Sequence, residues 1–136
     1  MSESLAQLSQ SGVSIWLDDL SRDRLQSGSL ADLIENSYVV GVTTNPSIFS
    51  AAISGSSLYK EDILALKAEG LSTAEIVTEL TTSDVRQACD LFLPTFLESN
   101  QVDGRVSIEV DPRLAYNTEE TIAQGNYLHS LVNRPN

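Results

Sequence analysis

Three stretches of the chain carry an apolar run into polar side chains: Ile15-Trp16-Leu17-Asp18-Asp19, Val39-Val40-Gly41-Val42-Thr43-Thr44-Asn45-Pro46 and Val106-Ser107-Ile108-Glu109-Val110-Asp111. Each reads as a strand that ends on polar residues. Alternation along a strand puts Asp18 on one face with Ser14 and Trp16, Asn45 with Gly41 and Thr43, and Glu109 with Arg105 and Ser107. Ile15, Leu17, Val40, Val42, Val106, Ile108 and Val110 point the other way. One face therefore suits a covering layer of helices, and the other gathers polar groups toward the strands' carboxyl ends.

The intervening segments have helical patterning. Leu30-Ala31-Asp32-Leu33-Ile34 follows the start signal Ser27-Gly28-Ser29. Leu58 to Ala68 places Leu58, Ile63, Leu64 and Leu66 near one stripe, and Gly70 ends it. Ser72-Thr73-Ala74-Glu75 has the form of a capping box. A further helix is expected from near Thr82, with Val85, Ala88, Cys89, Phe92 and Phe96 at three- and four-residue spacing and a bend or break near Leu93 imposed by Pro94. Asn117-Thr118-Glu119-Glu120 opens the last helix, in which Ala123, Tyr127 and Leu131 step by fours.

The order strand, helices, strand, long helical excursion, strand, helix argues for an α/β fold with a parallel sheet. By alternation alone, a doubly wound sheet and a barrel fit equally. The polar inner face favours the barrel, because an open doubly wound sheet is covered by helices on both sides. A TIM (β/α)8 barrel needs eight strands and about 250 residues; this chain of 136 residues shows three. It reads as the N-terminal part of such a barrel, residues 1–136 forming an incomplete domain that stops before a fourth strand.

Composition narrows the functional classes. Nineteen acidic against eight basic residues give a net charge of −11, with the basic residues scattered, so neither nucleic acid nor an anionic membrane is an expected partner. No apolar run approaches the roughly 20 residues of a membrane span, and Met1-Ser2-Glu3-Ser4 lacks the features of a signal peptide, which makes the cytoplasm the expected location. The single cysteine, Cys89, has no partner for an internal disulfide and reads as a small buried apolar side chain. No metal or other cofactor is expected.

Each polar motif taken alone has more than one explanation. Asp18-Asp19 fits a turn or helix cap as well as a catalytic pair, Asn45-Pro46-Ser47 is a good helix start, and Glu109, Asp111 and Arg113 suit a solvated turn. His129 has no chemical neighbour in sequence. Lys60 and Lys67, the only lysines, lie seven apart on what should be a solvated helix face.

Together, Trp16-Leu17-Asp18-Asp19-Leu20-Ser21-Arg22, Gly41-Val42-Thr43-Thr44-Asn45-Pro46-Ser47-Ile48-Phe49 and Val106-Ser107-Ile108-Glu109-Val110-Asp111-Pro112-Arg113-Leu114-Ala115-Tyr116 resemble the transaldolase family, in order and at plausible spacing, from about Gly12 to Asn136. The resemblance implies a class I aldolase-type barrel. Such a protein moves a dihydroxyacetone unit from a ketose phosphate, sedoheptulose 7-phosphate or fructose 6-phosphate, to an aldose phosphate through a lysine Schiff base, in the pentose phosphate pathway. It implies Asp18 as the base for carbon–carbon cleavage, and Glu109 with Thr43 for the water-borne proton transfers of imine chemistry. Asn45 and Ser107 would be hydrogen-bonding ligands of the dihydroxyacetone moiety.

The family's Schiff-base lysine lies on the strand after the Asn117 to Asn133 helix, and its phosphate-holding arginine and serine come from later strands. None has a counterpart here, and neither Lys60 nor Lys67 matches. Two readings follow: an N-terminal fragment of a transaldolase, inactive alone, or a non-catalytic half barrel that serves as a scaffold or as one half of a split enzyme whose partner is the missing C-terminal part.

Overall fold

The computed structural model describes residues 3–136. In chain order it comprises α1 (Glu3–Gln10), β1 (Ile15–Leu17), α2 (Arg22–Gln26), α3 (Ser29–Asn36), β2 (Val39–Val42), α4 (Pro46–Gly55), a 3-10 turn (Ser57–Tyr59), α5 (Lys60–Ala68), α6 (Thr73–Glu98), β3 (Arg105–Val106), a second 3-10 turn (Pro112–Leu114) and α7 (Thr118–Val132). The three strands form one parallel sheet in the order β1-β2-β3. Parallel neighbours require crossover connections, and here each crossover is helical.

Ile15, Leu17, Val42, Val106 and Ile108 pack on the core as alternation expects, beneath Val85, Ala88, Cys89 and Phe92 of α6 and Val132 of α7. Val40 departs from the pattern: Val39 enters the core beside Val42, and Val40 does not. The register slips between Ile15 and Trp16, so that Ile15 pairs with Val39 and Trp16 with Gly41. That irregularity turns both Val39 and Val42 to the helical side.

The third strand is shorter than its sequence suggests. Only Arg105–Val106 form the ladder with β2, although Ser107 N–H still donates to Val42 O at 3.0 Å. Val106 N–H, pointing away from β2, donates to Asn136 O at 2.9 Å, so the chain returning from α7 reaches the far side of β3. Asn136 Nδ2 donates to Cys89 O and Gly104 O, both at 2.8 Å. Gly104, at φ +73°, lies so close to α6 that a Cβ there would fall 2.2 Å from Phe96 N.

The expected two helices across residues 72–98 are one. The capping box at Ser72 is present, Glu75 N–H donating to Ser72 Oγ and Ser72 N–H to Glu75 Oε2, and the helix it starts runs 26 residues. Nothing at Thr82 interrupts it. Thr78, Thr81 and Thr82 return their hydroxyls to carbonyls three or four residues back, which accommodates the β-branched run. Pro94 does not end it at Leu93 either: the helix continues to Glu98. An interior proline costs about 3 kcal/mol. Phe92 and Phe96 flank it, both buried, and burial of each is worth roughly 1.5–3 kcal/mol, enough to hold the helix together.

Two apolar stripes sit differently from expectation. On α7, Leu128 and Val132 face the core while Tyr127 is exposed, a rotation of one position from the Ala123–Tyr127–Leu131 row. On α5, Ile63 and Leu66 join a small second core with Tyr59, Ile76 and Leu80, whereas Leu64 is exposed, as is Leu58 in the 3-10 turn that precedes the helix. Helix α1, which carries no buried residue, was not anticipated from the sequence. Among the described residues no helix is long and apolar enough to cross a membrane.

Candidate active site

The polar ends of β1 and β2 meet directly. Thr43 Oγ1 donates to Asp18 Oδ1 at 2.6 Å, and just before them Thr43 N–H donates to Leu17 O at 2.8 Å, so backbone and side chain continue the same strand pairing. Asp18 is exposed and Thr43 half-buried. The bond fixes one carboxylate oxygen and leaves the other free to take a proton. On the same face Trp16 lies over Gly41, where a Cβ would come within 2.5 Å of the indole, and Ser14 Oγ donates to Asp103 Oδ1 at 2.6 Å.

The β2 and β3 ends are joined through Thr44 and Ser107. Thr44 N–H donates to Ser107 Oγ at 3.1 Å, and Thr44 Oγ1 to Ser107 O at 2.8 Å. Thr44 is 1% exposed, so these bonds are shielded from water and fix Ser107 relative to the start of α4. Asn45 caps that helix, its Oδ1 accepting from Ile48 N–H at 2.9 Å with Pro46 at the first helical position. The cap uses the carboxamide oxygen and leaves the amide N–H groups for another acceptor.

Asn45 and Glu109 line a common cleft of about 780 Å³ between α4, the start of α6 and the segment 108–113. Asp18, Thr43 and Ser107 lie outside its lining. Among the described residues no hydrogen bond joins Glu109 to Asp18, Thr43, Asn45 or Ser107, and Glu109 is exposed. The five expected residues therefore fall into three linked groups: Asp18 with Thr43, Ser107 with Thr44, and Asn45 with Glu109 along one cleft.

The neighbouring polar residues are structural. Asp19 pairs with Arg24, and Ser21 Oγ accepts from Arg24 N–H to cap α2. Asp111 caps the 3-10 turn and pairs with Arg113, whose guanidinium holds the Asp111 carboxyl down to about 2. Cys89 is 1% exposed, as expected of an apolar role, and burial, with a smaller push from Asp90, raises its thiol to about 11. His129, Lys60 and Lys67 are all exposed.

A second polar cluster, unsuspected from the sequence, lies beneath the Asp18 loop. Tyr59 Oη donates to Asp84 Oδ2 at 2.7 Å and accepts from Arg22 N–H at 2.8 Å. Arg22 Nε donates to Asp84 Oδ1 at 3.1 Å, its guanidinium also pairs with Asp62, and it stacks 4.4 Å from the Tyr59 ring centroid. Tyr59 and Asp84 are fully buried and Arg22 is 5% exposed. Burial, reinforced by the bond to Asp84, drives the Tyr59 hydroxyl far above its ordinary range. Burial also raises Asp84, against the pull of Tyr59 and Arg22, while Arg22 is raised because Asp84 and Asp62 outweigh its own burial.

Acids, hydroxyls and a carboxamide collected at the carboxyl ends of parallel strands define a parallel α/β protein whose candidate site lies where enzymes of this architecture place theirs. Residues 15–136 match the transaldolase/fructose-6-phosphate aldolase family, and the chain belongs to it. It is 56% identical over 136 residues to a transaldolase of Acidothermus cellulolyticus, 53% over 136 to one of Frankia alni, and 56% over 132 to one of Mycobacterium tuberculosis. These matches cover 100%, 100% and 97% of this chain but only 37%, 37% and 35% of the relatives, so the chain spans little more than a third of their length.

Proposed function

We propose that residues 1–136 supply the acid–base half of a transaldolase site, and that the complete protein transfers a dihydroxyacetone unit between sugar phosphates, from sedoheptulose 7-phosphate or fructose 6-phosphate to an aldose phosphate. The observation that carries this reading is the Thr43–Asp18 bond on the open face of the sheet, in a chain that matches the family along nearly its whole length. The pentose phosphate pathway and the cytoplasm are the corresponding setting.

In this reading a lysine from the rest of the barrel condenses with the ketose carbonyl and releases water. Asp18 then takes the proton from the hydroxyl next to the breaking carbon–carbon bond. The bond's electron pair passes into the protonated imine, and the aldose phosphate leaves. Glu109, with Thr43, serves the water that enters and leaves during imine formation and hydrolysis. The Asn45 amide and the Ser107 hydroxyl hold the three-carbon unit until the acceptor arrives. The return of the chain to the far side of β3 at Asn136 supports a barrel in which the next parallel strand continues there.

The test joins residues 1–136 to the C-terminal part of the Acidothermus cellulolyticus transaldolase. The fusion is expected to transfer a three-carbon unit from fructose 6-phosphate and to yield a borohydride-trapped adduct. The 136-residue chain alone is expected to give neither, because its only lysines, Lys60 and Lys67, lie exposed on α5 and neither matches the family's Schiff-base position. An adduct on either lysine contradicts the reading, and a folded fusion without transfer contradicts it in favour of the scaffold.

A further inference from the structure

The Arg22–Tyr59–Asp84 cluster belongs to none of the steps above, yet its bonds to Arg22 hold the segment that carries Asp18. Asp18 lies four residues before Arg22, with fully buried Leu20 between them. The segment is thus pinned at Leu20 by packing and at Arg22 by two independent ties: the main-chain N–H held by Tyr59 Oη, and the guanidinium held by Asp84 and Asp62. Tyr59 and Asp84 also bond to each other, closing a ring of three residues drawn from α2, the first 3-10 turn and α6.

Stability alone explains such a cluster poorly. Replacing a buried ion pair with apolar residues of similar volume is often neutral or stabilising, because desolvation consumes most of the attraction. What the cluster provides is direction. Tyr59 Oη accepts a main-chain N–H, so the path of the backbone after β1 is fixed to α6, the longest element of the fold, and no apolar side chain reproduces that bond.

We propose that Tyr59, Asp84 and Arg22 are positioning residues for Asp18, holding its carboxylate in the geometry for proton removal during carbon–carbon cleavage. This rests on the assignment of Asp18 as the cleavage base. A displacement of about 1 Å at a reacting group can cost 10²-fold, so loosening this anchor should be visible in turnover.

The experiment uses the fusion described above and the variants Tyr59→Phe, Asp84→Asn and Asp18→Ala, each checked for a cooperative thermal transition. Tyr59→Phe keeps the ring and its stacking on Arg22 and removes only the hydroxyl. Its expected result is a fall in kcat of about 10- to 100-fold, with the borohydride-trapping rate and the KM for fructose 6-phosphate within about twofold of the parent. Asp84→Asn should move kcat in the same direction. A folded Tyr59→Phe with parental kcat, or one that loses trapping and turnover together, overturns the proposal, as does failure of both variants to fold, which makes the cluster a stabilising element only. Asp18→Ala separates the two levels: if it leaves cleavage intact, the assignment of the base is at fault rather than the anchor.

Discussion

Thr43 Oγ1 donates a hydrogen bond at 2.6 Å to Asp18 Oδ1, 25 residues away in sequence, where two parallel strands end. A hydroxyl donor orients a carboxylate without adding charge, and it occupies one oxygen while leaving the other. Thr43→Val preserves shape and removes the donor. In the completed enzyme it should lower kcat about 10-fold, with Thr43→Ser restoring most of it. Steady-state kinetics on the three proteins check this, and equal activity in all three would show the bond to be incidental.

The two glycines that meet close neighbours should behave differently. At Gly41 a new Cβ meets the side chain of Trp16, which is 39% exposed, rather than backbone. Gly41→Ala should therefore cost about 1–3 kcal/mol and shift the fluorescence of the protein's single tryptophan toward the solvent-exposed range. At Gly104 the obstacle is the backbone of Phe96 and φ is positive, so Gly104→Ala should prevent folding or cost more than about 3 kcal/mol. Denaturant unfolding of the two variants gives the comparison.

The ends of β1 and β2 and the helix caps were legible in the sequence because they are local, whereas β3 stops at Val106, short of the apolar run that suggested it. Asn45 and Asn117 cap the helices their motifs announce, and Ser72 with Glu75 closes its box. The Arg22–Tyr59–Asp84 cluster was not legible, since its members lie 37, 25 and 62 residues apart and none has an unusual local context. Pro94 misled for a related reason: the local cost of proline is visible in sequence, while the packing of Phe92 and Phe96 that offsets it is tertiary. The one-position rotation of α7 likewise depends on how the helix meets α6, which its own weak periodicity leaves open.

Burial of Cys89 gives a pH dependence of known sign. Its thiol ionises near 11 in the folded chain against 9.0 ordinarily, so the native state favours the protonated form. Its contribution to stability is fully present below pH 9 and is lost as pH rises through 11, at up to about 1.4 kcal/mol per pH unit. A thiol reagent at pH 8 should accordingly label Cys89 only as fast as the chain opens. Rapid stoichiometric labelling of the folded protein would place the thiol at the surface instead.

The central claim is that the two carboxylates at the strand ends perform different proton transfers, Asp18 in bond cleavage and Glu109 in imine formation and hydrolysis. The measurement that tests it most directly is borohydride trapping beside turnover, with fructose 6-phosphate, in the completed enzyme carrying Asp18→Ala or Glu109→Gln. Asp18→Ala should trap substrate at the parental rate and fail to turn it over, whereas Glu109→Gln should trap slowly. If both variants lose trapping equally, or if neither loses turnover, the division of labour between Asp18 and Glu109 is wrong.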